Sequence, residues 1–286
     1  GTRKVVPIDA LDECDGDGNF LACIRDNFLS LPHWLVFFIT TRPRMDIMKP
    51  LEKFNPVELK AGSGENMEDV ARYIRDHLKD RLPEQSLEEG TALLKKKSNG
   101  VFLYAHFAVE RLKAKQIITV DELDKFPSGM WEFYQEQFER LLCDDEILKN
   151  SPKWKVVKAV ITAREPLRVD ELDAFVECTI PERKQAVAKL SLLFPIRDRR
   201  VHVNHKSVKD WLVDPEREDE MCYVDEREVH IEMGKKCIEF YPTVTYALKH
   251  GVAHLCEGEL VNDACQKLVM NFKWLLTRLS IGGVHR

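Results

Sequence analysis

Apolar positions along this chain change period twice, and each change marks a change of architecture. Val5–Ile8 and Leu35–Thr40 (LVFFIT) are short continuous apolar runs. They have strand length without the alternation of a half-exposed strand, which predicts parallel strands covered on both faces. Cys23–Ser30 between them suits a crossover helix, and Pro56–Leu59 reads as a third strand. Pro7 lacks an N–H for a ladder bond, so its strand belongs at an edge or its residue at a strand end. From about residue 66 the period is helical. Val70, Ile74 and Leu78 recur every four residues, Val101, Ala105, Ala108 and Leu112 run 4-3-4, and Trp131, Tyr134, Phe138 and Leu141 run 3-4-3. Pro83, Gly100 and Pro127 punctuate these helices.

The stretch 152–213 mixes both periods. A helix begins at Trp154, PLRVDEL carries a helix-start signal, and Arg183–Leu190 forms another helix. LFPIRDRRVHVNH then places two apolar runs around Asp198-Arg199-Arg200, which predicts a β-hairpin, the wing of a winged-helix fold. Beyond Asp214 lies a charged linker, PEREDE. Helical stripes return at Val229, Met233, Cys237 and Phe240 and through LVNDACQKLVMNFKWLLTRL. No repeat of fixed period occurs. The fold expected is α/β followed by mainly α: a partial parallel sheet at 1–60, a helical domain at 61–145, a winged-helix domain at 146–215 and a C-terminal helical domain at 216–286.

Composition narrows the function classes. Among 286 residues, 48 acidic and 43 basic side chains leave a formal net charge of −5, which argues against a nucleic-acid footprint spread over the whole surface. No apolar run approaches the ~18 residues of a membrane span, and no charged segment followed by an apolar one opens the chain as a signal peptide would. The eight cysteines form no CxxC pair, the usual mark of a zinc or redox motif, and read as reduced thiols of a cytoplasmic protein. Asp144-Asp145-Glu146 and Lys95-Lys96-Lys97 read as solvated helix faces or ends.

One segment concentrates candidate chemistry. After VVPI comes DALDECDGDGNF, in which an apolar strand runs into acidic residues. Asp12, Glu13, Asp15 and Asp17 could simply form a solvated turn. A calcium loop fails on spacing, because its sixth position is Phe20 where glycine is needed and its twelfth is Asp26 where a bidentate glutamate is needed. The remaining possibility is a Walker B strand, which delivers an aspartate to the carboxyl end of a parallel sheet, where it helps hold Mg2+ on nucleotide phosphates.

Asp9 at the end of the run, followed by the pair Asp12-Glu13, resembles the Walker B segment of NACHT domains, a branch of the STAND nucleotide switches. FFITTRPR resembles their sensor strand, with Arg42 at the position of an arginine that reaches the γ-phosphate. NHKSVKDWL resembles the winged-helix motif whose histidine touches the β-phosphate of ADP, a place taken here by His205, with Asp210 and Trp211 in the helix that follows. SNGVFLYAHFAVERL resembles a GLPLA motif at the adenine, with Gly100 matching and Phe102 in place of the proline. The last segment, YALKHGVAHL to FKWLLTRL, resembles the helical bridge into repeats. The bland alternatives are a surface ion pair for Arg42 and a helix-capping or packing role for His205.

The resemblance implies a switch that binds ATP or ADP with Mg2+ on Asp9. Asp12 or Glu13 would orient the hydrolytic water, and Arg42 and His205 would contact phosphate around one pocket. Partners would be proteins and further copies through the NACHT region, with no membrane. The sequence contains no G-x-x-x-x-G-K-[ST]; its nearest string, Gly234-Lys235-Lys236, lies in a helical stripe. The resemblance therefore implies a portion of such a protein from Walker B onward, with no nucleotide or metal expected to bind this chain appreciably by itself. Two other classes stay open: a protein-interaction scaffold without nucleotide chemistry, and a winged-helix nucleic-acid binder using Arg197, Arg199 and Arg200.

Overall fold

The two apolar runs pair as parallel strands. β1 (Lys4–Ile8) and β2 (Leu35–Ile39) align from Lys4↔Leu35 to Ile8↔Ile39 in a computed structural model that describes residues 2–14, 19–113, 115–142 and 151–281. The Lys4 N–H donates to the Trp34 carbonyl at 2.7 Å. Donors of alternate residues therefore face β2, and the nitrogen of Pro7 faces the outer edge, where it leaves no ladder bond unmade. The crossover carries α1 (Asn19–Asn27) and a 3-10 turn at Phe28–Ser30, and α2 (Met45–Leu51) follows β2. Leu11, Ile24, Ile47 and Leu51 form the core of this unit, with Ile8, Phe28 and Ile39 against it.

Burial on both faces, as expected from the apolar runs, does not occur. Val5, Pro7, Val36 and Phe38 alternate onto the second face, where Val5 and Phe38 are each 64% exposed. The sheet has only two strands among the described residues, and its small core is drawn from α1 and α2 on the opposite face. Pro56–Leu59 is not a strand. Val57 and Leu59 lie in an open loop with no strand beside them, 87% and 94% exposed.

Gly1–Met67 and Glu68–Arg286 are two units. The second is mostly helical. α3 (Gly64–Leu78) begins just before the boundary and buries Val70, Ile74 and Leu78, the predicted stripe. α4 (Glu84–Ser98) ends where Asn99 and Gly100 both turn to positive φ, 48° and 76°, a left-handed stop. Lys97 at this end is not simply solvated, because its ammonium donates to the carbonyls of Asp124 and Phe126 at 2.9 and 2.8 Å. α5 (Phe102–Leu112), α6 (Val120–Asp124) and α7 (Met130–Leu142) follow. The face that α7 buries is Phe133, Tyr134, Gln137, Phe138 and Leu142, one position round from the predicted stripe, and Trp131 is 49% exposed. Phe107 stacks on Phe133 with centroids 5.7 Å apart, and Phe138 on Trp211 at 5.3 Å.

Next come α8 (Pro152–Thr162), β3 (Leu167–Arg168), α9 (Leu172–Phe175), α10 (Ile180–Leu190) and the hairpin β4 (Ile196–Arg197) and β5 (Arg200–Val201). The order in this second sheet is β3-β5-β4, antiparallel throughout. Asp198 and Arg199 carry φ of 49° and 60°, so the two-residue hairpin is closed by the primed turn that matches strand twist. Thr119 and Thr179 form reciprocal capping boxes with Glu122 and Glu182 at the starts of α6 and α10.

α11 (Lys206–Leu212) leads into PEREDE, which is not a free linker. Pro215–Arg217 is a 3-10 turn, and the Arg217 guanidinium lies 3.4 Å from the Trp211 ring centroid and donates to the Trp211 carbonyl at 2.7 Å. α12 (Glu226–Phe240) and α13 (Thr245–Glu257) pack closely. A Cβ on Gly234 would sit 2.8 Å from Leu255, and one on Gly251 would sit 2.9 Å from the Cβ of Cys237. Gly234-Lys235-Lys236 is thus part of a helix contact rather than a phosphate loop. α14 (Val261–Asp263), a π-helical turn at Ala264–Val269 and α15 (Phe272–Ile281) end the described chain. No helix among the described residues is long and apolar enough to cross a membrane. Cys14, Cys23, Cys178, Cys222, Cys237 and Cys256 are free thiols. Asp15, Asp17, Cys143 and Asp144-Asp145-Glu146 lie outside the described residues.

Candidate functional site

The carboxyl ends of β1 and β2 bring four polar residues together. Pairing in parallel places Asp9, one residue past β1, beside Thr40, one residue past β2, and the Thr40 hydroxyl donates to the Asp9 carboxylate. The same Thr40 oxygen accepts the Ala10 N–H at 2.9 Å, and the Thr40 carbonyl accepts the Leu11 N–H at 2.9 Å. These bonds hold Ala10 at φ 52°, left-handed and unfavourable for a residue with a Cβ. The kink starts the turn Leu11–Glu13 and sends Asp12 back toward β2. Its carboxylate accepts the Arg42 N–H at 3.1 Å and lies 3.5 Å from the Arg42 Nε.

Exposure separates the acids. The Asp12 side chain is 3% exposed while its partner Arg42 is 41% exposed, whereas Asp9 and Glu13 are open to solvent. A pocket of about 270 Å3 beside Asp12 is lined by Leu11, Cys14, Phe20, Arg44 and Asp46. The hydrogen bond from Arg44 holds the Asp46 carboxyl below its ordinary range. Among the described residues, no group of three or more His, Cys, Asp and Glu side chains is arranged to hold a metal ion. Mg2+ bound on nucleotide needs only one or two carboxylates, the rest of its shell being phosphate and water. The exposed Asp9 fits that limited role.

His205 belongs to the second unit, where it opens α11 as its cap. Its Nδ1 accepts the Ser207 N–H at 3.1 Å and lies 2.7 Å from the Ser207 hydroxyl, which in turn lies 2.7 Å from the Tyr134 hydroxyl. Because a backbone N–H can only donate, Nδ1 is an acceptor and the ring proton sits on Nε2. The Ser207 hydroxyl donates to the ring and the Tyr134 hydroxyl donates to Ser207. Burial pushes the Tyr134 phenol up to about 12, so it keeps its proton. Gly100 supplies the left-handed stop before α5, and Phe102 at the first turn of α5 is 43% exposed and packs edge-to-face with Tyr73, ring centroids 6.1 Å apart.

The structure thus gathers Asp9, Asp12 and Arg42 in one unit, leaves Glu13 exposed at their rim and puts His205 on a helix start in the other. Thr40, Ser207 and Tyr134 organise these groups; the sequence marks Tyr134 only as a position in a helical stripe and Thr40 only as the end of an apolar run, and gives none of the three a role at the site. A hydroxyl directly after the apolar run ending at Ile39 was the available signal for Thr40; Tyr134 lies 73 residues from Ser207, and no local pattern links them. No family model matches the chain, and neither a curated protein nor a solved structure matches it.

Proposed function

We propose that this chain carries the Walker B, sensor and winged-helix segments of a NACHT-type STAND switch that senses the phosphates of bound ATP or ADP and controls self-association. The observation that carries the proposal is the meeting of Asp9, Thr40, Asp12 and Arg42 at the carboxyl ends of two adjacent parallel strands, the place where open α/β sheets bind ligands. Two features lend support. The order α8-β3-α9-α10-β4-β5 suits a winged helix, and His205 caps the helix that follows the hairpin.

Each residue has a role its geometry permits. Asp9 would hold Mg2+, which neutralises phosphate charge when bound. Glu13, exposed at the rim, would orient water, because Asp12 is buried against Arg42. Arg42 would exchange Asp12 for a terminal phosphate, so the phosphate must outcompete a buried carboxylate before the arginine responds. His205 would donate its Nε2 proton to a phosphate of ADP in the closed state. Exchange for ATP would withdraw that bond and favour assembly with other copies.

Phosphate is cradled chiefly by P-loop N–H groups and lysine, and no G-x-x-x-x-G-K-[ST] occurs in this sequence. Calorimetric titration of Mg2+ with ATP or ADP into the chain should accordingly give a Kd no tighter than ~1 mM. Micromolar binding would contradict the proposal. In a version supplied with a P-loop segment, His205→Ala should loosen ADP and raise the oligomer fraction; unchanged nucleotide retention and mass would count against the histidine's role.

A scaffold reading draws on a different observation, the bare apolar face at Val5, Val36 and Phe38, which suits a protein partner. Nucleic-acid binding draws less support, because Arg200 donates to the Pro166 carbonyl at 2.6 Å and Arg183 is buried against the Val169 carbonyl and Asp173.

A further inference from the structure

Two buried imidazoles meet where α12 packs on α13. His254 is fully buried and His230 is 8% exposed, and their Nδ1 atoms lie 2.7 Å apart. Nitrogens this close share one proton between them. The polarity of the chain follows from its far end. The Arg164 N–H donates to the Tyr246 oxygen at 2.9 Å, and that oxygen lies 2.7 Å from the His254 Nε2. Tyr246 is fully buried and its phenol is driven upward by burial, so its own proton needs an acceptor, which is His254 Nε2. His254 then carries its proton on Nδ1 and donates to His230 Nδ1. His230 carries its proton on Nε2 and donates to the Glu257 carboxylate at 2.8 Å. Every member is satisfied only when both rings are neutral.

We propose that Arg164, Tyr246, His254, His230 and Glu257 form a proton-sensitive latch that holds α12 to α13 and to the segment after α8. A proton gained by His230 makes its Nδ1 a donor and turns His254 Nδ1 into an acceptor. The His254 proton moves to Nε2, and the Tyr246 hydroxyl loses its acceptor inside the protein. The chain thereby exchanges a complete set of bonds for a buried unsatisfied donor, which loosens the helix pair.

The surrounding charges are mixed. Glu257 on α13 and Glu226 on α12 favour a proton on His230, while Lys209 on α11 and Arg164 oppose it; burial outweighs them and lowers its pKa. Facing His254 are His230, His250 on α13 and Arg164, all unfavourable to a proton, and burial with these neighbours drives it to about 3. His250 itself is lowered by burial against the opposing pull of Glu165, with Lys249 and Arg164 adding to the fall. Arg164 also pairs with Glu257, and Glu165 is shared by Lys249 and Arg200. Depressed histidines mean that the open state binds more protons. The latch is therefore complete above the ordinary histidine range of ~6.5 and weakens as the pH falls from there toward the depressed folded values.

Native-state hydrogen exchange on the chain, corrected for intrinsic rates, tests this. Opening of α12 and α13 amides should rise about tenfold or more between roughly pH 7 and pH 5. The double variant His230→Gln with His254→Gln keeps a donor and an acceptor at each site without titrating, and should lose the greater part of that rise, leaving only the share due to His250. Equal pH dependence in the two proteins overturns the latch. Should the double variant not fold, imidazole 15N spectra of the original chain decide. The latch requires neutral rings above the ordinary histidine range of about 6.5, with protons on His254 Nδ1 and His230 Nε2. A protonated ring at such a pH with the helices intact overturns it.

Discussion

The first unit gathers Leu11, Ile24, Ile47 and Leu51 into a small cluster under one face of a two-stranded sheet, and at its strand ends Asp9 and Glu13 are exposed to solvent. The second buries Tyr104, Phe107, Phe133, Tyr134, Phe138, Phe194 and Trp211 in one continuous core running from α3 to α13. The contrast separates two uses of the same apolar chemistry. In the second unit aromatic burial sets stability and fixes where polar groups such as Ser207 and Arg217 stand. In the first, stability rests on few residues, and polar bonds at the strand ends, including a left-handed alanine, carry the local geometry. A part that must respond to a ligand is expected to come from the less stable end of a structure.

Core truncation should show the contrast most strongly. Trp211 is 1% exposed, stacks on Phe138 and carries Arg217 on its other contacts, so Trp211→Ala should cost the second unit about 3–5 kcal/mol in urea unfolding. A loss under ~1 kcal/mol would remove the aromatic core from the account. A smaller effect of opposite sign is expected in the first unit. Glycine at position 10 relieves the positive φ, so Ala10→Gly should stabilise that unit by about 1 kcal/mol, read from exchange of β1 and β2 amides. The smallest effect belongs to the bare face. Phe38→Ser should leave stability within about 0.5 kcal/mol and reduce concentration-dependent association; a large destabilisation would mean that this face is covered.

Strand identity and the main helical stripes were legible because the period of burial decides them: VVPI and LVFFIT pair, and Val70, Ile74 and Leu78 are buried. What failed depended on neighbours the pattern does not name. Pro56–Leu59 has strand-like residues but no strand beside it. Trp131 fits a helical period yet falls outside the buried arc of α7, which Phe133 and Leu142 define. Arg217 sits in a run of acidic residues that reads as solvated, yet it is buried against the Trp211 ring and carbonyl. At the strand ends Asp9, Asp12 and Arg42 were legible as a polar cluster after apolar runs. Their division of labour was not, because the Asp12–Arg42 bonds depend on the kink at Ala10. The histidine chain was out of reach altogether, since His230 and His254 sit on different helices 24 residues apart.

The proposed switch is tested most directly at Arg42, in a version of the protein that carries a P-loop segment, by comparing assembly mass with ATP and with ADP for the original residue and for Arg42→Ala. The account predicts that the original protein assembles more with ATP than with ADP and that the variant binds both nucleotides yet assembles equally with each. A variant that still distinguishes ATP from ADP as the original does would contradict it.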